Sequence, residues 1–255
     1  MNKLFAMLPC YNEEKDISPL VHKWMELNDE FAQRGYELSI YCINDCSTDS
    51  TKGVILGLCD TFPEKVHLVN HEVNLGLGGA LLTAVRQFLK LGSGRDICVL
   101  MDGDNTHDPV FTLSMLPKIE SGADCVIASR YCGASTTKGV SAFRLFLSWG
   151  ARVYYSLLLN VKGVKDYTCG YRAYAYSIIN TAYEKFGDDL VERRSFACMM
   201  ELLYKLSLCG AKFEEVPFAL RYDNKAGESK MRIIKTVRES LITAFSLRVH
   251  TSRKA

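Results

Sequence analysis

Residues 99–109 read VLMDGDNTHDP: an apolar run passes without a break into Asp102-Gly103-Asp104 and, three residues further, His107. The run Ile97–Met101 holds no polar side chain, the pattern of a strand buried on both faces, and a helical pattern follows over Val110–Ile119. Outward from it the same unit repeats. Strands are expected at Lys3–Leu8, Leu38–Ile43, Val66–Val69 and Cys125–Ala128. Between them lie a helix through Trp24, Leu27 and Phe31 closed by Gly35, a second over Asp49–Leu58 and a third over Gly78–Leu91. Regular alternation of this kind predicts an α/β fold, a mostly parallel Rossmann-like sheet with helices on both faces.

The second half changes character. Long helical patterns cover Ser141–Leu159, Phe196–Leu208 and Met231–Val249, with a short strand at Lys212–Phe218. No linker rich in Pro, Gly or Ser divides the chain, so residues 1–255 are expected to form one domain, with halves 1–130 and 131–255. The 255 residues carry 31 Lys+Arg against 29 Asp+Glu, a net charge of +2 that argues against general nucleic-acid binding. Ten cysteines include no CxxC pair and mostly lie inside apolar runs such as DICVLMD, so buried reduced thiols and a reducing, cytoplasmic compartment are expected. The N-terminus turns acidic too early for a signal peptide, and no 18-residue apolar stretch exists to span a bilayer.

Open α/β sheets bind ligands beyond the carboxyl ends of their strands. The first strand ends in PCYNEE (Pro9–Glu14) and the second in NDCSTDST (Asn44–Thr51). Ser47, Thr48 or Asp49 can cap the following helix, while Asp45 at the strand tip can accept from a base or ribose. In NLGLGGALLTA (Asn74–Ala84) the glycines either admit a diphosphate to free helix amides or permit tight packing. The loop after the fourth strand is the most specific. Carboxylates at i and i+2 on an extended tip point the same way and suit a hard cation, Mg²⁺ or Mn²⁺, able to neutralise a nucleotide diphosphate.

Seven segments in one order, PCYNE, NDCSTDST, NLGLGGA, DGDNTHDP, ASRY, DYTCGYRAY and AGESKM, resemble the family 2 glycosyltransferases of GT-A fold over roughly residues 1–235. The last three resemble the dolichol-phosphate mannosyltransferase and polyprenyl-phosphate glycosyltransferase branch. The resemblance implies inverting transfer of a sugar from a nucleotide-sugar donor, GDP-mannose or a UDP-hexose, to a lipid-phosphate acceptor. It places Pro9, Tyr11, Glu13 and Asp45 on the nucleoside, Asp102 and Asp104 on the metal and diphosphate, and Arg130 on a phosphate. It also places Asp166 and Arg172 at the sugar and acceptor pocket, and Ser229 and Lys230 on a loop over the diphosphate. Thr106 stands where some relatives use a Gln ligand and is a candidate third metal ligand. Asn44 replaces one of two usual acids, Cys46 a common Gly, and Cys169 a commoner Ser.

An anionic phosphate acceptor needs positioning more than a base. Arg130 and Arg172 are the candidates to hold it, and Lys230 and the metal to stabilise the leaving group. A hydroxyl acceptor, the alternative within the family, requires a base, for which Asp166 or a surface Glu201 are the candidates. A sugar-nucleotide nucleotidyltransferase is the further alternative, disfavoured because PCYNEEKD lacks the Gly of a phosphate loop. Phe143, Phe146, Leu147, Trp149 and Tyr154 on one helix form a candidate interfacial face. Met231, Ile234, Val237, Leu241 and Phe245 on the last helix, opposite Lys230, Arg232, Lys235 and Arg238, form a second. Both imply peripheral contact with the cytoplasmic face of a membrane, or with a membrane-anchoring subunit.

Overall fold

The computed structural model describes residues 1–138, 142–221 and 233–251. Four strands run parallel at its centre: β1 (Asn2–Cys10), β2 (Tyr36–Asn44), β3 (Val66–Asn70) and β4 (Ile97–Leu100). Leu4 to Leu8 are all but fully buried, as a continuous apolar strand covered on both faces must be. Helices α1 (Ile17–Glu26), α2 (Asn28–Gln33), α3 (Thr51–Thr61), α4 (Gly76–Leu91) and α5 (Thr112–Glu120) fill the crossovers. In α1, Ile17, Leu20, Val21 and Trp24 recur at helical spacing and are the residues buried. The single helix expected through Phe31 breaks at Leu27, whose amide bonds the Trp24 carbonyl, and resumes as α2. Phe88 of α4 meets Phe5 of β1 edge to face at 5.4 Å, which seats the helix on the central strand.

β5 (Cys125–Ser129) and β8 (Phe213–Pro217) extend the sheet in parallel, as expected. Between β4 and β5 lies β7 (Arg172–Ala175), antiparallel to both, which the sequence patterns did not reveal. The seven-stranded order is β3-β2-β1-β4-β7-β5-β8, so strands from both halves of the chain share one sheet. α7 (Tyr176–Phe186), also unforeseen, follows directly, and α8 (Ala197–Ser207) precedes β8. A separate two-stranded sheet pairs β6 (Thr136–Lys138) with β9 (Ala219–Arg221). α6 (Ala142–Leu159) packs against α9 (Ile233–Thr251), where the Tyr154 hydroxyl donates to the Leu241 carbonyl at 3.2 Å. Tyr154 and Leu241 therefore face the junction of these helices and not solvent. Among the described side chains, Trp149, Val153 and Leu157 on α6, and Ile242 and Phe245 on α9, are the large apolar residues that are exposed.

Candidate active site

The loops after β1, β2 and β4 meet at one end of the sheet through main-chain bonds. The Gly103 amide donates to the Pro9 carbonyl at 3.0 Å and the Asp45 amide to the Cys10 carbonyl at 2.9 Å. A Cβ on Gly103 would lie 2.7 Å from the Cys10 sulfur, so only glycine lets the acidic loop approach β1 this closely. The first two loops interlock. Asn12 N–H donates to Ser47 Oγ (2.9 Å), Thr48 N–H to Asn12 Oδ1 (2.8 Å) and Glu13 N–H to Thr51 Oγ1 (2.8 Å). Asp49 accepts from the Thr51 amide at 3.0 Å, the capping expected of this turn. Pro9 is buried, Glu13 nearly so, and Tyr11 is 41% exposed above them.

Asp45, expected at the nucleoside, is held by neighbouring segments of the chain. Its carboxylate accepts the amides of Leu75 and Gly76, each at 2.8 Å, and its Oδ1 lies 2.8 Å from His71 Nδ1. It occupies the amino end of α4 with the protein's own anion. The other side of that turn is filled by main chain: the Gly78 amide bonds the Arg194 carbonyl, and a Cβ on Gly78 would lie 1.8 Å from the Arg193 carbonyl oxygen. The glycines of NLGLGG therefore serve packing and not diphosphate access. Glu201 secures the packing segment. Buried, not superficial as expected, it accepts the amides of Glu192 (3.0 Å) and Arg193 (2.9 Å) and the Lys205 ammonium (2.8 Å).

In the acidic loop, Asp102 lies against Gly170, where a Cβ would come 3.3 Å from its Oδ1. Asp104 Oδ1 accepts both the Thr106 amide (3.2 Å) and the Thr106 hydroxyl (2.7 Å). Thr106 is buried and its hydroxyl donates to Asp104, so it orients that carboxylate. His107 stacks on Phe218 at 5.5 Å. Burial, reinforced by Arg130 and opposed by Asp104 and Asp166, lowers its pKa to about 4, so it is neutral at pH 7. No cluster of three His, Cys, Asp or Glu able to hold a metal occurs among the described residues. Two hard carboxylates in one loop suit a divalent ion that completes its shell with oxygen ligands from outside the protein.

Arg130 at the end of β5 grips Asp166 with Nε (2.8 Å) and Nη2 (2.6 Å), and Nη2 also donates to Thr168 Oγ1 (2.6 Å). Burial alone would raise the Asp166 pKa, yet the guanidinium and the amides around the carboxylate hold it below the ordinary value. Asp166 is therefore a fixed counter-ion and a poor base. Arg172 is fully buried and donates to the carbonyls of Met199 (2.6 Å) and Tyr167 (2.9 Å). It ties β7 to α8, at the core of the segment expected to shape the sugar and acceptor pocket. Ser229 and Lys230 lie outside the described residues. The segment that carries them starts beyond Arg221, whose amide bonds the Thr106 carbonyl at 3.1 Å. Arg221 and Thr168 were not singled out from the sequence, because each acquires its neighbour only through sheet pairing or a turn.

The sequence model of glycosyl transferase family 2 matches residues 6–180, and the chain belongs to this family. It is 28% identical over 229 residues to the polyprenol monophosphomannose synthase of Mycolicibacterium smegmatis, covering 90% of this chain and 81% of that one. It is 26% identical to the undecaprenyl-phosphate mannosyltransferase of Micrococcus luteus, covering 90% and 87%. Among solved structures, glucosyl-3-phosphoglycerate synthase from Mycobacterium tuberculosis, in complex with Mn²⁺, UDP and glucosyl-3-phosphoglycerate, aligns with a TM-score of 0.67 at 19% identity. That alignment covers 96% of this chain and 79% of the other, and identifies the fold as GT-A. The chain is thus a GT-A glycosyltransferase.

Proposed function

We propose that this protein transfers a sugar, with inversion, from a nucleotide-diphosphate sugar to a polyprenyl phosphate. The carrying observation is the convergence of Asp102 and Asp104 with the β1 and β2 loops at one end of the sheet. Relatives named for polyprenol and undecaprenyl phosphate support the acceptor class. So does the state of the two carboxylates the sequence offered as bases. Asp166 is locked to Arg130 and Glu201 to main-chain amides, so neither serves a hydroxyl acceptor, whereas a lipid phosphate is already anionic.

Asp102 and Asp104 would hold Mg²⁺ or Mn²⁺, which when bound supplies neutralisation of the leaving diphosphate. Thr106 keeps Asp104 turned toward the ion. Tyr11 and the interlocked loops of Asn12 and Ser47–Thr48 offer the nucleoside a floor. Arg130, its orientation set by Asp166, presents its remaining edge to the acceptor phosphate. Ser229 and Lys230, which the family resemblance puts on a loop over the diphosphate, would supply a hydroxyl and a cation to the leaving group. The exposed apolar residues of α6 and α9, with Arg152, Arg238 and Arg248 on the same helices, would rest on an anionic membrane surface. No described helix is long and apolar enough to cross a membrane.

The test is release of nucleoside diphosphate from GDP- and UDP-sugars with and without polyprenyl phosphate. Release that depends on the lipid, and falls by about 10²–10³ in Asp104→Ala or with chelator, is the expected result. Turnover that survives chelation refutes the metal, and lipid-independent transfer to a hydroxyl acceptor refutes the acceptor.

A further inference from the structure

The acidic loop turns at Asn105, which is buried and adopts φ +57°, the left-handed region, between Asp104 and Thr106. Its side chain is not idle: Asn105 Oδ1 accepts from the Lys23 ammonium at 2.8 Å. Lys23 lies in the last turn of α1, the helix that grows directly out of PCYNEE. The loop is thus pinned at three places, by Pro9 at Gly103, by Arg221 at Thr106 and by Lys23 at its apex. The first two are main-chain bonds that any sequence could make. The third depends on a side chain 82 residues away.

We propose that Lys23 is a positioning residue for the acidic loop, holding Asn105 so that the Asp102 and Asp104 carboxylates stay set for a divalent ion. This rests on the assignment of those two residues to a metal. Asparagine tolerates the left-handed conformation better than most residues, and the main-chain bonds at Gly103 and Thr106 flank Asn105 without touching it. A charge-assisted hydrogen bond to its side chain does. Lys23 touches neither donor nor acceptor in this role; it acts through Asn105.

Position and charge make opposite predictions. Deleting a cation near two carboxylates should tighten binding of a dication, whereas deleting the anchor should loosen it. Mn²⁺ alone is titrated into wild type, Lys23→Met and Lys23→Arg, with free Mn²⁺ read by electron paramagnetic resonance. Amide hydrogen exchange over residues 103–107 is followed in the same proteins without metal. Lys23→Met is expected to bind Mn²⁺ about tenfold more weakly, the value of one lost charge-assisted hydrogen bond. It should also exchange these amides faster while the β1 amides stay protected, and Lys23→Arg should restore both. Binding by Lys23→Met equal to or tighter than wild type, or unchanged exchange, overturns the role of Lys23 alone. Wild-type protein that takes up no Mn²⁺ overturns the metal assignment and this role together.

Discussion

Arg130 and Asp166 stand 36 residues apart in sequence, yet three hydrogen bonds from Arg130, one from its amide and two from its guanidinium, end on one carboxylate. The Arg130 side chain keeps 22% of its surface exposed and Asp166 none, so the pair has a buried anion and a cation at the edge. Asp166→Asn leaves that cation without its counter-charge and should cost about 3 kcal/mol, measured by urea unfolding at pH 7. The pH dependence follows from the lowered carboxyl pKa. The stabilisation is fully present above the unfolded value near ~4 and is lost as pH falls through the lower folded value. Wild type should therefore lose stability more steeply than Asp166→Asn as pH falls below about 4. The residue types of this site were visible in DGDNTHDP and DYTCGYR. Their partners were not, since Asp45 meets the amides of Leu75 and Gly76 across 30 and 31 residues and no local pattern encodes that choice.

At the scale of elements, α4 is the clearest case of glycine used for proximity. Gly78→Ala places a methyl 1.8 Å from a carbonyl oxygen of the segment held by Glu201, so main chain must move. A loss of roughly 1–3 kcal/mol is expected from calorimetric unfolding. Gly53 in α3 provides the contrast, exposed in a helix with nothing within 4 Å of its missing Cβ. Gly53→Ala should gain about 0.5–1 kcal/mol by the same measurement. The strands β1, β4 and β5 were legible because a strand buried on both faces carries an unbroken apolar run. β7 was hidden because RAYA is four residues long, begins with a buried arginine and follows a turn rich in side-chain bonds. Its identity as a strand comes from the two edges it joins, which are 72 and 45 residues upstream at the Leu100–Arg172 and Ile127–Arg172 pairs.

For the molecule as a whole, α6 and α9 each carry exposed apolar side chains. Leu157 is 80% exposed and Phe245 60%. If these helices rest on a bilayer, Leu157→Glu and Phe245→Glu should each weaken partitioning onto anionic vesicles at least tenfold, since each buries about 2 kcal/mol of side chain. Flotation with the thermal midpoint unchanged would separate this from misfolding, and unchanged flotation would exclude the surface. The antiparallel strand at the middle of the sheet also governs how the protein can be made. During synthesis β4 and β5 leave the ribosome before β7 exists, and β8 only after it, so until then the rim of β4 and both edges of β5 are unsatisfied. Residues 172–175 then slot between them like a keystone. A fragment cut near residue 130 would keep its acidic loop but leave the rims of β4 and β5 that β7 joins bare.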